Sequence, residues 1–275
     1  MDLIMDILKG ALPKMQTADG TLTPLSSEDY ELEKIKWENA MPGNLSGEHC
    51  PLCLNRGYIR ERQNGVTISR ECSCMSKRRS LRLIRKSGLG DMLERYTFEN
   101  YQTPEPWQQT AKKQALAYVS DHDGWFVAAG TVGSGKTHLC TAICGAMLDA
   151  GLEVRYMLWR DHGVQIKAVV NDSEAYSAMV EPLKRVKVLY IDDLFKTAKG
   201  ESGTAKVTTG DINLAFELLN SRYNRKDLVT IISTELTIGQ IVDIDEAVGS
   251  RIYERSKGCY LRIEGQDKNW RLRKG

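Results

Sequence analysis

The sequence has no apolar stretch long enough to cross a membrane, no internal repeat and no low-complexity tract. Its first eight residues are too few and too acidic for a cleavable secretory signal, since they include Asp2 and Asp6. These absences exclude the membrane-spanning and repeat classes and predict a cytoplasmic protein. What remains is a chain of 275 residues with 41% hydrophobic content, enough for one sizeable core and a small additional module.

The net charge is only +2, but the charges are unevenly distributed. Residues 1–49 contain nine acids and four Lys or Arg, whereas residues 50–95 contain eleven Lys or Arg and four acids. This asymmetry indicates different partners for the two segments. Residues 77–86 carry six cations and no acid, so they either contact phosphates or form a solvated linker helix.

Strand-like and helix-like segments alternate from about residue 96 onward, which predicts a parallel sheet with helices on its faces. The predicted strands are 125–129, 153–158, 186–191, 228–233 and 260–263. The predicted helices are 105–121, 136–150, 160–170, 173–184, 210–225 and 245–256. A short helix is also predicted over 28–37. The polar segment 196–206 is predicted to be a loop, whose three lysines either touch nucleic acid or are simply solvated.

The stretch 130–137, GTVGSGKT, fits the phosphate-binding pattern G-x-x-x-x-G-K-[ST]. It lies between a strand candidate and a helix candidate, which is the context that the motif requires, although a plain Gly-rich turn is the alternative. Such a loop surrounds phosphate oxygens with backbone N–H groups, the helix directs its positive end at them, and the lysine adds a full charge. The predicted nucleotide-binding residues are Gly130, Thr131, Val132, Gly133, Ser134, Gly135, Lys136, Thr137 and His138.

A second motif is the apolar run 185–191, which ends in Asp192 and Asp193. A buried parallel strand delivers such acids to the carboxyl edge of its sheet, where ligands collect. Asp192 is then placed to hold Mg²⁺ together with the Thr137 hydroxyl, and Asp193 to orient or deprotonate the water that attacks the γ-phosphate. Taken alone, the motif also fits a strand that ends in a solvated acidic turn.

Four of the seven cysteines form a C-x2-C pair and a C-x-C pair, with a strong hairpin signal, Asn-Gly at 64–65, between them. They are Cys50, Cys53, Cys72 and Cys74. A hairpin brings both pairs together, and four thiolates at about 2.3 Å form a closed tetrahedral shell, so the sequence predicts a structural zinc site without disulfides. His49 is an alternative ligand, and ordinary buried thiols are the alternative to the whole site.

Together these motifs resemble the DnaC-type helicase loaders of bacteria and phages, a branch of the AAA+ ATPases to which IstB-like ATPases are closely related. The matching segments are 130–139, 189–194, 231–236 and 244–252. The resemblance implies an AAA+ P-loop fold with a five-stranded parallel sheet flanked by helices, preceded by a small zinc-binding hairpin module. The implied domains are a partner-binding segment 1–49, a zinc module 50–76, a basic linker 77–95 and an ATPase domain 96–275.

The function implied by this resemblance is the ATP-dependent loading of a ring-shaped, hexameric DnaB-type replicative helicase onto single-stranded DNA. Hydrolysis of Mg²⁺-bound ATP is expected to be slow and stimulated by assembly into a homo-oligomer. By the same resemblance, Arg251 is an arginine finger that reaches the γ-phosphate bound by a neighbouring subunit. Segment 159–167, with its aromatic and basic groups, is expected to contact DNA.

Two positions depart from the family pattern. An Asn commonly follows the apolar run of the fourth strand, but here Thr234 stands in that region, and it is expected to orient the attacking water. No separate helical lid follows residue 263, and Arg271 is the one candidate for a lid arginine. The alternatives to a loader are an IstB-like transposition helper ATPase, against which the zinc module argues, and a nucleotide-gated DNA-binding adaptor, against which the two acids argue.

Overall fold

The computed structural model describes residues 14–16, 22–24, 26–86, 90–121, 123–196 and 207–272. The chain divides into two compact units, residues 1–75 and 76–275. Most of the predicted loop 196–206 lies outside the described residues. In the part of the chain that is described, no helix combines the length and the apolar character needed to span a bilayer.

The described residues of the first unit form two small antiparallel sheets and one helix. Its elements are β1 (Lys14–Gln16), β2 (Leu22–Pro24), α1 (Ser27–Ala40), β3 (Tyr58–Gln63) and β4 (Val66–Glu71). The Ser26 hydroxyl accepts a hydrogen bond from the Asp29 N–H (3.0 Å), which explains why the helix begins before the predicted position 28. The hairpin of β3 and β4 turns at Asn64 and Gly65, which both have positive φ, as the Asn-Gly signal predicts.

The second unit is built on one parallel five-stranded sheet of order β6-β7-β8-β5-β9. Its strands are β5 (Trp125–Gly130), β6 (Val154–Leu158), β7 (Val188–Asp192), β8 (Val229–Thr234) and β9 (Tyr260–Ile263). All five predicted strands are confirmed, with ends that differ by at most two residues. Every residue of β5, β7 and β8 is buried, because helices cover both faces of these central strands.

The six helices predicted for this unit are confirmed, again with ends within two residues of the predicted ones. They are α4 (Pro106–Asp121), α5 (Lys136–Asp149), α6 (Trp159–Ala168), α7 (Ser173–Arg185), α8 (Thr209–Tyr223) and α10 (Glu246–Arg255). The helices pack into two apolar cores, one on each face of the sheet. Leu139 and Ile143 of α5 lie in one core, and Leu214 and Leu218 of α8 lie in the other.

Three further α-helices are found in the described part of the chain. They are α2 (Cys74–Lys86), α3 (Gly90–Arg95) and α9 (Ile238–Ile244). Helix α2 begins at a predicted zinc ligand and covers residues 77–86 of the predicted basic linker 77–95. Asp245 ends α9 and, through its side chain, caps the N-terminus of α10, so the two helices follow each other without a spacer.

Candidate functional site

The phosphate-loop motif forms the connection between β5 and α5, as its sequence context predicts. Gly130, Gly133 and Gly135 all have positive φ, at 112°, 73° and 87°. A Cβ atom at Gly130 would lie 2.0 Å from the Ile263 carbonyl oxygen, and one at Gly133 would lie 2.1 Å from Oδ1 of Asn269. Only glycine tolerates both this backbone conformation and this close approach.

The C-terminal segment holds the same loop by three hydrogen bonds to its backbone and side chain. The Thr131 N–H donates to the Ile263 carbonyl (2.8 Å), and the Thr131 hydroxyl donates to the Gly265 carbonyl (3.2 Å). The Trp270 N–H donates to the Gly133 carbonyl (3.0 Å). The loop is therefore fixed from β9 and the residues that follow it, as well as from β5.

Lys136 is the buried cation of the loop. Its ammonium donates to the carbonyl oxygens of Gly130 (2.8 Å) and Thr131 (2.7 Å), and the residue is only 6% exposed. Burial lowers the pKa of Lys136, whereas the negative charges of Glu235 and Asp193 act in the opposite direction. An ammonium held by two carbonyl oxygens can exchange them for phosphate oxygens, which are stronger acceptors.

A cavity of about 340 Å³ opens between this loop and the carboxyl ends of the strands. This volume lies within the range of small-ligand sites. Residues 132–138 form one wall. The remaining lining residues are Met92, Tyr96, Asn100, Tyr101, Gln102, Gln108, Asp193, Lys196, Glu235, Trp270 and Arg271. The cavity therefore combines aromatic and amide side chains with a group of charges at the strand ends.

His138 lies between the aromatic side chains of this cavity. Its Nε2 donates to the Thr97 carbonyl (2.8 Å), its ring stacks on Tyr96 (centroids 4.8 Å apart), and Tyr101 meets it edge-on (5.1 Å). Burial lowers the pKa of His138, which favours the neutral form of the ring. Burial also raises the pKa of Tyr101 to about 12, and its hydroxyl has no hydrogen-bond partner among the described residues. A polar ligand such as a nucleoside fits this unsatisfied group.

Asp192 ends β7 and is surrounded by hydroxyl groups. Its Oδ1 accepts from Tyr190 (2.7 Å), from Thr137 (3.3 Å) and from Ser233, and its Oδ2 accepts from Tyr156 (3.1 Å). The side chain is only 4% exposed. The structure thus brings together Thr137 and Asp192, the pair that the sequence analysis selected for Mg²⁺, and their oxygen atoms are the ligand type that this ion prefers.

Asp193 has a left-handed backbone conformation (φ 57°), and its N–H donates to the Ser233 hydroxyl (2.9 Å). Its carboxylate pairs with the Lys196 ammonium (2.9 Å), which also pairs with the Glu235 carboxylate (2.7 Å). Burial lowers the pKa of Lys196, but the hydrogen bonds to Glu235 and Asp193 outweigh it and raise that pKa. Neither Lys196 nor Glu235 was among the predicted site residues, although each closely follows one of them in the chain.

Thr234 is fully buried, and its hydroxyl is occupied by the backbone. It donates to the Leu194 carbonyl (2.9 Å) and accepts from the Leu236 N–H (3.1 Å). Both backbone contacts hold this hydroxyl inside the fold, and the water-orienting role of Thr234 stays a prediction. Among the described residues at this strand end, it is Glu235 that lines the cavity.

Arg251 lies on α10 and packs against α8. Its Nε donates to Oδ1 of Asn220 (3.0 Å), its Nη1 donates to the Ala247 carbonyl (2.8 Å), and its guanidinium lies over the ring of Phe216 (5.0 Å). Arg271, not Arg251, is among the described residues that line the cavity of the same chain. The arginine-finger role of Arg251 stays a prediction.

The segment expected to contact DNA lies mainly on α6, but its aromatic residue is not available for stacking. Trp159 is 1% exposed and packs edge-on against Phe195 within the core. Lys167 pairs with Asp211 (2.5 Å). The expectation of an aromatic platform at Trp159 is therefore wrong, because the first residue of this helix faces the sheet. The exposed cation of the helix is Arg160.

The four cysteines of the first unit come together as predicted. Their sulfur atoms all lie within 4.8 Å of one another, with 3.7 Å between Cys50 and Cys72 and 3.6 Å between Cys53 and Cys74. A tetrahedral zinc site with bonds of about 2.3 Å has edges of about 3.8 Å, so the cluster has the size of a zinc shell. His49 is exposed and is not part of the cluster.

The environment of Cys53 favours the thiolate form that zinc requires. The Gly57 N–H donates to its sulfur (3.3 Å). Burial raises the pKa of Cys53, but this hydrogen bond and those of the neighbouring thiols outweigh it and lower that pKa to about 6. Burial raises the pKa of Cys72. The donor set of four sulfurs without an open position fits a structural metal ion.

The strand order, the phosphate loop after β5 and the acids at the carboxyl end of β7 define a P-loop nucleotide-binding domain of the AAA+ type. The chain belongs to the family described as IstB-like ATP binding protein, whose model matches residues 60–271. The match covers the sheet, the phosphate loop and both Asp192 and Asp193.

Two curated relatives and one solved structure show the range of this similarity. The phage-like element PBSX protein XkdC of Bacillus subtilis (strain 168) is 31% identical over 227 residues, which cover 78% of this chain and 82% of the relative. The replicative helicase loader DnaC of Escherichia coli (strain K12) is 25% identical over 231 residues, covering 82% and 86%. A crystal structure of the DnaC helicase loader shares the fold, with a TM-score of 0.51, 20% identity and coverage of 61% and 96%.

Proposed function

We propose that this chain is an ATP-dependent DNA replication factor that loads a ring-shaped, hexameric DnaB-type helicase onto single-stranded DNA. The observation that carries the proposal is the extent of the similarity to the relative named replicative helicase loader. The similarity covers 82% of the 275 residues of this chain, which is more than the 180 residues that follow position 95. It therefore includes part of the region before the ATPase domain. A likeness limited to the nucleotide-binding fold would not reach so far.

The ATP-binding site in this proposal consists of the phosphate loop 130–137 with His138, and its central cation is Lys136. Thr137 and Asp192 hold Mg²⁺, which supplies positive charge to the β- and γ-phosphates when it is bound. Asp193 accepts a hydrogen bond from the water that attacks the γ-phosphate. Glu235 takes the place that the sequence analysis gave to Thr234, since it lines the cavity beside Asp193.

Hydrolysis is completed in trans in this proposal. The Arg251 guanidinium is held by Asn220 and Ala247 outside its own cavity. In a homo-oligomer, this guanidinium then contacts the γ-phosphate bound by a neighbouring subunit. A desolvated guanidinium there stabilises the charge of the transferred group. Slow turnover by single subunits and stimulation by assembly follow from this division of the site.

We assign the segments before the ATPase domain 96–275 to partner binding. Residues 1–49 and the zinc module 50–76 bind the helicase, and their large exposed side chains support this: Trp37, Leu52 and Val66 are each at least 62% exposed. Single-stranded DNA is contacted through cations of the basic linker 77–95, where Arg82 and Arg85 are exposed, and through Arg160. Stacking on Trp159 has no part in this proposal.

A transposition helper of the IstB type is the second candidate, because the matching family model carries that description. It shares the ATP site and differs in the partner. The two candidates are distinguished by asking whether the chain acts on a helicase or on a transposase, since the nucleotide chemistry is the same in both.

The test is helicase loading onto closed circular single-stranded DNA, which a ring cannot thread without an opening step. We expect the purified full chain, with MgATP, to permit the hexameric replicative helicase of the same source to displace an annealed oligonucleotide. Lys136→Ala is expected to abolish this stimulation, and Lys187→Ala, which alters a lysine at the opposite end of β7, to leave it unchanged. Absence of stimulation and of helicase capture by the wild-type chain would refute the loader proposal, and stimulation of a transposase would favour the second candidate.

A further inference from the structure

The backbone after β7 makes a tight turn that the sequence did not predict. Asp193 and Phe195 both have positive φ, at 57° and 61°, in a region that residues with a side chain rarely adopt. The turn is fixed by the core: Leu194 and Phe195 are 1% and 3% exposed, and the Leu194 N–H donates to the Ser233 carbonyl (2.9 Å). Such strain persists only where the surroundings hold it, and it is concentrated at functional sites.

The result of this turn is the position of Lys196. Its N–H donates back to the Asp193 carbonyl (2.9 Å), and its ammonium bridges two carboxylates that follow the neighbouring strands β7 and β8. The distances are 2.9 Å to Asp193 and 2.7 Å to Glu235. All three side chains line the same cavity as Lys136 and Thr137.

The charges in this part of the cavity explain why such a bridge is needed. A triphosphate placed on the phosphate loop brings its terminal oxygens toward the strand ends, where Asp193 and Glu235 are negative. Like charges at a few ångströms repel strongly in a partly buried site. Lys136 and Arg271 also line this cavity, but Lys196 is the lysine that pairs with both carboxylates. Its position between them suits it to make both compatible with a γ-phosphate.

We propose that Lys196 is a second phosphate-contacting cation, which distinguishes ATP from ADP and controls the availability of Asp193. This proposal rests on the proposed ATP-hydrolysing function. Without a γ-phosphate, the Lys196 ammonium occupies the Asp193 carboxylate. When ATP is bound, the ammonium remains on Glu235 and exchanges Asp193 for a γ-phosphate oxygen, and the freed carboxylate accepts a hydrogen bond from the attacking water.

The hydrolysis that follows is an ordinary phosphoryl transfer to water. The water oxygen forms a bond to the γ-phosphorus, and the bond between that phosphorus and the β–γ bridging oxygen breaks, leaving its electron pair on ADP. The proton of the water passes through Asp193 to the released inorganic phosphate. Once this phosphate leaves, Lys196 pairs with Asp193 again.

The experiment compares ATP and ADP binding, measured calorimetrically with Mg²⁺, and single-turnover hydrolysis in full-length variants. Lys196→Met is expected to weaken ATP binding about 10- to 100-fold, the range for one charge-assisted hydrogen bond, while ADP binding changes less than about 3-fold. Lys196→Arg is expected to keep most of the preference for ATP. Lys187→Met is the matched control. Lys187 directly precedes β7, at the end of that strand opposite to Lys196, and its ammonium donates to the Asp227 carbonyl.

A double variant tests the charge argument directly. Lys196→Met combined with Glu235→Gln removes one repelling carboxylate together with the cation, so part of the lost ATP affinity is expected to return. An equal loss for ATP and ADP in Lys196→Met, or an unchanged ratio with wild-type hydrolysis, would overturn the inference. Failure of the wild-type chain to bind ATP would instead refute the proposed function, so the two failures are distinguishable.

Discussion

The Thr137 hydroxyl lies 3.3 Å from Oδ1 of Asp192, although 55 residues separate them in the chain. Thr137 is in the first turn of α5, and Asp192 is the last residue of β7. They meet because β8 alone separates β5 from β7 in the sheet, so both segments end at the same edge. This contact joins the phosphate loop and the acidic strand in one site.

Complementation between two inactive variants tests whether Arg251 acts on another subunit. We expect Lys136→Ala to lose ATP binding and Arg251→Ala to bind ATP but hydrolyse it about 10³-fold more slowly, as for a lost arginine finger. Mixing the two with single-stranded DNA is expected to restore part of the ATPase rate, because a Lys136→Ala subunit still supplies Arg251. The measurement is phosphate release by each variant and by the mixture.

The control for this experiment is Arg262→Ala, which alters an exposed arginine paired with Glu264. It is expected to hydrolyse ATP at the wild-type rate. A mixture no more active than the sum of its components would contradict action in trans, and wild-type turnover by Arg251→Ala alone would remove this residue from the mechanism.

Metal content tests the cysteine cluster. The chain purified without chelators is expected to contain about one zinc ion, and Cys72→Ser to contain little or none, because a three-sulfur shell is incomplete. The measurement is elemental analysis, with Cys259→Ser as the control since Cys259 lies outside the cluster. Cys72→Ser is also expected to keep ATP binding. A wild-type chain without metal would show that these cysteines are ordinary buried thiols.

Stability in mild acid tests the environment of His138. Because the folded-state pKa of His138 is lowered by burial, protons bind the unfolded chain more readily than the folded one. The stabilisation due to the neutral ring is therefore complete above about pH 6.5, the unfolded value, and is lost as the pH falls toward the folded one. Thermal unfolding at pH 7.5 and 5.5 is expected to show a larger decrease for wild type than for His138→Gln. An equal decrease in both proteins would contradict this assignment.

Arg222 tests how much stability a buried cation provides in this fold. It is fully buried, and burial lowers its pKa to about 9, so it is still protonated at neutral pH. Its guanidinium donates to the Val186 (2.9 Å) and Val229 (2.6 Å) carbonyls and to the Thr230 hydroxyl (2.9 Å).

Replacing this arginine by methionine leaves these acceptors without a partner in the core. We expect Arg222→Met to reduce the free energy of unfolding by about 3–5 kcal/mol, measured by urea denaturation. Arg225→Met, three residues further on, alters an exposed arginine paired with Asp227, and little change is expected. Similar effects of both substitutions would show that the buried hydrogen bonds contribute no more to stability than an exposed ion pair does.

Most of the fold was predictable because its signals are local. Apolar runs such as 229–232 identify the central strands, and the Asn-Gly turn at 64–65 identifies the hairpin between the cysteine pairs. The short helices α3 and α9 escaped prediction because they have too few residues for a periodic pattern. Helices α9 and α10 are also joined directly through Asp245, without the loop residues that usually mark a boundary.

The parts of the site that escaped prediction depend on contacts between distant segments. The turn that places Lys196 requires left-handed Asp193 and Phe195, and no residue in it is glycine, so the usual sequence signal is missing. Trp159 and Thr234 were assigned to binding and catalysis from chain position. Their burial depends on which way the first residue of a helix or the last residue of a strand faces, and the sequence does not reveal this.

The residues after β9 belong functionally to the ATP-binding loop, although they lie more than 130 positions away in the chain. Gly265 and Trp270 hydrogen bond to Thr131 and Gly133, and Asn269 occupies the space where a side chain at position 133 would lie. Trimming the carboxyl end back to Ile263 would thus loosen the loop without altering any residue of its motif. Affinity tags for nucleotide-binding studies are better attached at the amino terminus for the same reason.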